Sequence, residues 1–178
     1  QEVMLIYNKK LSVSPITTHL PLQDVKKNIT TKKIIKNVIT INSFFKDKLK
    51  KKPKFAITGL NPHCETNKNF SEEEKIILPA INRLKKKNIN INGPFAADTL
   101  FLKKNINKFN VVIGMYHDQV LTPIKTLYEF KAFNITLGLP FLRMTPDHGP
   151  NNFMLGKNRS DPSSMIEIFK FLSQIREN

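Results

Sequence analysis

The sequence predicts an α/β fold in which helices flank a largely parallel sheet. Short apolar runs that are typical of buried strands alternate with longer segments whose apolar residues recur at helical spacing. This alternation is the pattern of units in which a helix connects two parallel strands. A chain of 178 residues is long enough to bury one core, so residues 1–178 are predicted to form a single α/β unit.

Five strands are predicted where apolar and β-branched residues cluster between turn residues: 3–7, 11–17, 55–58, 111–115 and 133–137. Long helices are predicted over 31–52 and 163–175, where apolar residues repeat every three or four positions. A further helix follows Ser71 and Glu74, whose spacing is that of a capping box, and Pro79 is expected to kink it.

The chain is strongly basic, with a formal net charge of +15. Of its 29 cationic residues, 25 are lysines and four are arginines. Base readout and bidentate phosphate contacts favour arginine, so a nucleic-acid-binding module is the weakest of the functions considered and no nucleic-acid partner is expected. The apolar stretches are too short or too interrupted to cross a membrane, and no membrane partner is expected. The single cysteine, Cys64, excludes a disulfide within the chain and favours a cytoplasmic location.

The four histidines each lie in a short segment rich in turn residues: TTHLPL at His19, GLNPHCE at His63, MYHDQ at His117 and PDHGP at His148. His19, His63 and His117 directly follow predicted strands, and open α/β sheets bind ligands beyond the carboxyl ends of their strands. Imidazole is the commonest metal ligand in proteins. The residues leave two interpretations open, a shared divalent-metal site or separate turn histidines. Cys64 is either a fourth ligand or a buried, inert thiol.

Three charged residues are further candidates for a site. Asp98 and Asp118 are placed for proton transfer or for orienting a ligand imidazole, although Asp98, in a predicted loop over 92–98, could instead cap a helix. Arg143 stands among apolar residues in LPFLRM, so we expect it to pair with an anion, either a substrate phosphate or an acid such as Asp147. Neither a Rossmann nor a P-loop fingerprint occurs in the sequence.

Six segments, in order, resemble the 4-hydroxythreonine-4-phosphate dehydrogenases, an oxidoreductase family of vitamin B6 biosynthesis: TTHLPL, GLNPH, NGPFAADTLF, MYHDQ, NITLGLPFLR and DHG. The resemblance covers nearly the whole chain. It implies a fold similar to the isocitrate and isopropylmalate dehydrogenases, and it implies that the chain is the C-terminal portion of such an enzyme with the N-terminal part missing. We therefore expect residues 1–178 not to turn over substrate alone.

The resemblance also implies a metal site. His19, His63 and His117 match the family's ligands for a divalent ion (Zn, Mg or Co), and His117 matches the ligand that the partner subunit of a homodimer supplies. The implied cofactor is NAD or NADP. The implied reaction oxidises a secondary alcohol of a small phosphorylated substrate, 4-phosphohydroxy-L-threonine, and the resulting β-keto acid then loses carbon dioxide.

Further roles follow from the same resemblance and are written here as expectations. Lys125, Asn134 and Arg143 match substrate-binding residues, and Asp98 and Lys125 are the expected catalytic residues. The expected cofactor-binding residues are Gly138, Asp147 and Gly149, with His148 in the same loop. Related dehydrogenases of sugar-acid phosphates such as threonate or erythronate phosphate share these motifs, and a catalytically silent domain is the alternative from a different class.

Overall fold

The computed structural model describes residues 2–64, 71–149 and 152–176 of the chain. The strands are β1 (Val3–Tyr7), β2 (Ser12–Pro15), β3 (Phe55–Thr58), β4 (Ile91–Phe95), β5 (Val111–Gly114), β6 (Phe133–Leu137) and β7 (Arg143–Pro146). The α-helices are α1 (Leu22–Asn28), α2 (Thr31–Leu49), α3 (Leu78–Lys86), α4 (Ala97–Leu100), α5 (Lys103–Ile106), α6 (His117–Tyr128) and α7 (Ser163–Arg176). Short 3₁₀ turns cover Pro62–Cys64 and Asn152–Met154.

The seven strands form one mixed sheet in the order β4-β3-β5-β2-β1-β6-β7. β4, β3, β5 and β2 pair in parallel, whereas β1 is antiparallel to both of its neighbours and β7 is antiparallel to β6. Five strands therefore run in one direction and two run against it. The α/β fold with a mostly parallel sheet and flanking helices is confirmed, and the hairpin-like half at β1, β6 and β7 is the part that alternation of elements did not predict.

The sheet is buried on both faces, because helices cover each side of it. On one face, α2, α3 and α7 pack through side chains such as Ile41, Leu84 and Phe171. On the other face, α4, α5 and α6 pack through residues that include Leu100 and Ile124. Each fully buried aliphatic side chain contributes about 1.5–3 kcal/mol of transfer free energy, so this packing holds the strand ends in place.

The predicted strands are confirmed, two of them shortened at their ends, and both long helices are confirmed. The first long helix ends at Leu49 rather than residue 52, because Lys50 adopts a left-handed conformation with φ of 53°. The loop predicted over 92–98 is wrong in its first half, which is β4. Its proline and glycine are tolerated because β4 is an edge strand of the sheet.

The helix that follows Ser71 begins irregularly. Its first turn, Glu73–Ile77, is π-helical, and the Leu78 N–H donates to the carbonyl of Glu73. The regular helix α3 starts next, with Pro79 in its first turn, where a missing N–H is tolerated. The Ser71 hydroxyl accepts from the Glu74 N–H at 3.3 Å, as the capping pattern predicts.

Among the helices that the structure describes, none is both long enough and apolar enough to cross a membrane.

Candidate active site

The carboxyl ends of four neighbouring parallel strands carry the residues that sequence analysis singled out. His19 follows β2, His63 follows β3, Asp98 follows β4 and His117 follows β5. The register pairs Pro15 with Gly114 and Ile57 with Ile113, so β2, β3 and β5 end at the same level. The three histidines that sequence analysis placed after strands therefore lie at one edge of the sheet, and Asp98 lies there with them.

His19 and His117 come together within one chain. Their ring centroids lie 5.5 Å apart, with the ring planes inclined at 46°. Adjacent strands explain the contact, because β2 pairs with β5 and the segments after them stay joined. Both the backbone N–H of Thr17 and its hydroxyl donate to the carbonyl of Met115, at 3.2 and 2.8 Å. Two imidazoles are therefore held side by side at the carboxyl edge.

Asp118 orients the imidazole of His117. The Nδ1 atom of His117 lies 2.7 Å from Oδ1 of Asp118. A carboxylate can only accept, so Nδ1 carries the hydrogen, and in a neutral imidazole that leaves the lone pair on Nε2. A histidine that donates one N–H to a carboxylate is arranged as metal-ligating histidines are. Of the two uses predicted for Asp118, orientation of an imidazole is the one that this contact supports.

His63 lies in a tight turn that is stabilised by hydrogen bonds to a buried acid. His63 and Cys64 have φ values of 57° and 55°, in the left-handed region. The fully buried Glu73 accepts from the N–H groups of Leu60 and Asn61 at 2.8 and 2.9 Å, and its second oxygen accepts from the Asn61 side chain at 2.9 Å. The turn is thus fixed by a carboxylate that has three donors.

Within the described part of the chain, no three His, Cys, Asp or Glu side chains lie close enough to hold a metal ion together. Within one chain His19 is next to His117, the histidine that the resemblance assigned to the partner subunit. The order of the strands explains this: β2 and β5 are neighbours, and the turn of His63 follows β3 on the far side of β5. The two imidazoles could supply two of the three predicted metal ligands, and His63 as the third ligand stays a prediction.

Cys64 packs against Gly59 rather than beside the paired imidazoles. A Cβ atom on Gly59 would lie 2.7 Å from the Cys64 sulfur and 3.0 Å from Oε1 of Glu73, so only glycine fits here. Burial raises the pKa of the Cys64 thiol, and the carboxylates of Glu73 and Asp98 raise it further. The thiol is therefore less ready to ionise, which favours the inert of its two predicted roles.

Asp98 is not a helix cap, because the N-cap of α4 is Ala96. Oδ1 of Asp98 accepts from the Thr99 N–H at 2.8 Å. The side chain lines an open cleft of about 590 Å³ between α4 and α6, together with Tyr116 and Asp118. Asp98 thus lies near the His117 end of α6, and proton transfer by Asp98 stays a prediction.

A second polar cluster surrounds Lys125 on α6. The Lys125 ammonium donates to the carbonyl of Asp147 at 2.7 Å and lies 3.2 Å from Oδ2 of the same residue, an ion pair without the alignment of a hydrogen bond. Burial raises the pKa of Asp147, while the charges of Lys125, His117 and His148 oppose the rise. Lys125 lies on the helix that begins at His117, so this cluster and the paired imidazoles are carried by the same element.

The other two predicted substrate residues lie on β6 and β7. Asn134 donates to the Thr145 hydroxyl at 3.4 Å, and its buried Oδ1 has no hydrogen-bond partner. Arg143 donates to the Thr136 hydroxyl at 3.1 Å and is exposed. Its apolar neighbours in LPFLRM are not core residues, since Phe141 is 63% exposed at the turn between β6 and the edge strand β7. Without burial, Arg143 has no need of an internal acid, and Asp147 pairs with Lys125 instead.

The three predicted cofactor residues lie in different surroundings. Gly138 has a φ of 88° just after β6. Asp147 is buried and pairs with Lys125. Gly149 lines a cavity of about 440 Å³ with His148 and Arg159. Gly149 and its neighbour His148 therefore line a cavity, whereas Gly138 is exposed on the surface.

Two side chains that hold the histidine segments in place were not singled out from the sequence, Glu73 and Gln119. Gln119 lies in the segment MYHDQ, two residues after His117, and it bonds to the ends of both β3 and β5. The motif itself was the signal for Gln119. Glu73 gave no comparable signal, because an acid in the first turn of a helix is ordinarily exposed.

Comparison with known proteins bears on this site. The model of the family described as pyridoxal phosphate biosynthetic protein PdxA matches residues 1–172. The chain belongs to this family. It is 51% identical over 166 residues to the 4-hydroxythreonine-4-phosphate dehydrogenase of Sulfurihydrogenibium sp., covering 92% of this chain and 51% of the relative. It is 36% identical over 177 residues to that of Bradyrhizobium diazoefficiens, covering 98% of this chain and 51% of the relative. The chain thus spans about half the length of the curated relatives it matches.

Solved structures agree with the fold. The 4-hydroxythreonine-4-phosphate dehydrogenase of Klebsiella pneumoniae superposes with a TM-score of 0.82 at 31% identity, covering 98% of this chain and 54% of that one. A terephthalate 1,2-cis-dihydrodiol dehydrogenase of Burkholderia xenovorans superposes with a TM-score of 0.77 at 20% identity, covering 97% and 55%. The second likeness shows a shared fold only.

Proposed function

We propose that the natural protein containing these residues is a metal- and NAD-dependent 4-hydroxythreonine-4-phosphate dehydrogenase of vitamin B6 biosynthesis, acting in the cytoplasm. The observation that carries this proposal is the pair of imidazoles at the carboxyl edge of the parallel strands, one of them oriented by Asp118. A pair of this kind, with Lys125 on the helix that carries one of the imidazoles, suits a substrate that has both an alcohol to be oxidised and anionic groups.

The cation would be held by His19, His63 and His117. When bound, a divalent ion there would polarise the oxygen of the substrate alcohol and so favour its ionisation. One chain supplies two adjacent imidazoles, so a complete ligand set requires either movement of the His63 turn or a ligand from a second subunit. We therefore include a homodimer with a shared site in the proposal.

The cationic and amide side chains would hold the anionic ends of the substrate. Lys125 lies on the helix that begins at His117 and is fixed by Asp147, so it could balance negative charge as the alcohol proton leaves. Asn134 has an unsatisfied amide oxygen, and the exposed guanidinium of Arg143 is free to reach a phosphate. Asp98 borders the cleft beside Asp118 and could accept a proton.

In the proposed reaction, bound NAD⁺ would accept a hydride from the secondary carbinol of the substrate, and the alcohol proton would be released. The resulting β-keto acid loses carbon dioxide, and a proton takes the place of the lost carboxyl group. The nicotinamide cofactor would lie toward Gly149 and His148, where a cavity opens beside Arg159.

The test is turnover by the complete natural protein that contains residues 1–178. Formation of NADH is followed by absorbance with Co²⁺ or Zn²⁺, NAD⁺ and 4-phosphohydroxy-L-threonine, with threonate and erythronate phosphates as competing substrates. We expect turnover of the hydroxythreonine phosphate and its loss in His117→Asn, while Asn110→Ala, at the opposite end of the sheet, stays active. Preference for a sugar-acid phosphate would change the assigned substrate, and inactivity with all three would refute the proposal.

A further inference from the structure

Gln119 connects the ends of two strands that lead to different histidines. Its Oε1 accepts from the Thr58 hydroxyl at 2.8 Å and from the Met115 N–H at 2.7 Å, and its Nε2 donates to the carbonyl of Gly59 at 2.8 Å. β3 and β5 stop pairing just before these residues, at Ile57 and Ile113. One side-chain amide therefore continues the connection between the two strands beyond the end of their ladder.

The direction of this amide is fixed by its partners. The Met115 N–H can only donate and the Gly59 carbonyl can only accept, so the oxygen must face Met115 and the nitrogen must face Gly59. A carboxylate at this position could keep the first contact but would set an oxygen against the carbonyl of Gly59. Gln119 is thus the residue type that both partners require.

The contacts of Gln119 reach all three histidine segments. Gly59 begins the turn that carries His63. Gln119 accepts from the N–H of Met115, and the carbonyl of the same residue accepts two hydrogen bonds from Thr17. Thr17 lies two residues before His19. Gln119 itself lies in the first turn of α6, two residues after His117.

We propose that Gln119 is a positioning residue that holds the three histidine segments in one geometry, and that its loss weakens binding of a divalent cation. The inference rests on the proposed function, because it assigns these histidines to a metal. Loss of groups that orient metal ligands typically lowers metal affinity by about 10–100-fold. The amide touches neither the cation nor the substrate in this account.

The matched control is Asn110, which joins the same two strands at their opposite end. Its Oδ1 accepts from the Lys54 N–H at 2.9 Å, just before β3 and β5 begin. Asn110→Ala therefore removes a side-chain bond of the same kind without touching a histidine segment. Gln119→Met removes all three contacts at similar volume, and Gln119→Glu keeps the contact with Met115 while repelling Gly59.

The first measurement is amide hydrogen exchange of the metal-free complete protein. Gln119→Met should exchange about tenfold faster at Met115 and over residues 59–64, the factor expected for one lost hydrogen bond. Gln119→Glu should leave exchange at Met115 slow and speed exchange only over residues 59–64. General destabilisation would not produce this difference between the two segments. Unchanged exchange in Gln119→Met, or a uniform increase over the whole chain, would overturn the inference.

The second measurement is titration with Co²⁺ alone, followed by absorbance. We expect the affinity of Gln119→Met to fall about 10–100-fold and that of Asn110→Ala to stay within about twofold of the parent protein. Equal affinities of the parent and Gln119→Met would overturn the inference and leave the metal site standing. A parent protein that binds no Co²⁺ would refute the proposed metal site and with it the metal-binding part of the inference, and the exchange measurement would decide the positioning part.

Discussion

Replacing Glu73 with glutamine tests how the turn of His63 is held. The carboxylate is fully buried and accepts two backbone N–H groups, from Leu60 and Asn61, and one side-chain N–H, also from Asn61. Gln at this position keeps an oxygen for the two backbone donors. Its amide nitrogen, however, replaces the oxygen that accepts from the Asn61 side chain and so sets two donors against each other.

The expected cost follows from these three bonds. A hydrogen bond to a charged group contributes about 1.5–3 kcal/mol and a neutral one about 1 kcal/mol. Weakening two hydrogen bonds and losing the third costs about 3–5 kcal/mol. Removing a buried charge offsets part of this cost. We therefore expect Glu73→Gln to lower the free energy of unfolding by about 2–4 kcal/mol. The neighbouring Glu74 is exposed, and Glu74→Gln should change the free energy of unfolding by no more than about 0.5 kcal/mol.

Urea unfolding followed by far-UV circular dichroism measures both variants against the parent protein. The expected result is a lower midpoint for Glu73→Gln at an unchanged slope, with Glu74→Gln close to the parent. Equal midpoints for the two variants would show that the buried carboxylate does not hold the turn, and the account of this segment would be wrong.

Three further predictions concern the same edge of the sheet. Asp118→Ala should lower Co²⁺ affinity about tenfold, because the imidazole of His117 loses the carboxylate that orients it. Calorimetric titration of this variant and of an Asp161→Ala control checks the expectation, and equal affinities would exclude the orienting role. Burial raises the pKa of Asp147, so its stabilising effect is present at low pH and lost as pH rises through the folded-state pKa. Asp147→Asn should therefore gain unfolding free energy relative to the parent between about pH 3 and pH 7 in urea titrations, and a relative loss would contradict this sign. Gly59→Ala should cost about 1–3 kcal/mol through contacts of 2.7 and 3.0 Å, whereas Gly149→Ala, with open space around it, should leave the melting temperature unchanged.

The sequence was most informative where a pattern has a single physical cause. Apolar runs predicted five strands, and helical spacing predicted α2 and α7, because burial on a regular element requires those patterns. It was least informative for β4 and α6. β4 contains Asn, Gly and Pro, which signal turns unless the strand lies at an edge, and α6 contains Pro123 within its length. The edge position of β4 and the packing of α6 against β2 and β5 decided these two elements, and both are properties of the whole fold.

The candidate site shows the same division. Placement of histidines after strands predicted that they share one edge of the sheet, since parallel strands end together. Which histidines meet depends on strand order, and no local pattern states that β2 and β5 are neighbours while β3 lies beyond them. The exposure of Arg143 likewise follows from its place at an edge hairpin and not from its apolar neighbours in sequence.

The central claim is that His19, His63 and His117 bind one divalent ion in the working protein. Crystals of the complete natural protein grown with Zn²⁺, and measured on both sides of the zinc absorption edge, test it most directly. The account predicts an anomalous peak bonded to Nε2 of His117, with His19 and His63 from the same or the partner subunit completing the ligand set. A peak at Cys64 or elsewhere, or none beside the paired imidazoles, would contradict it.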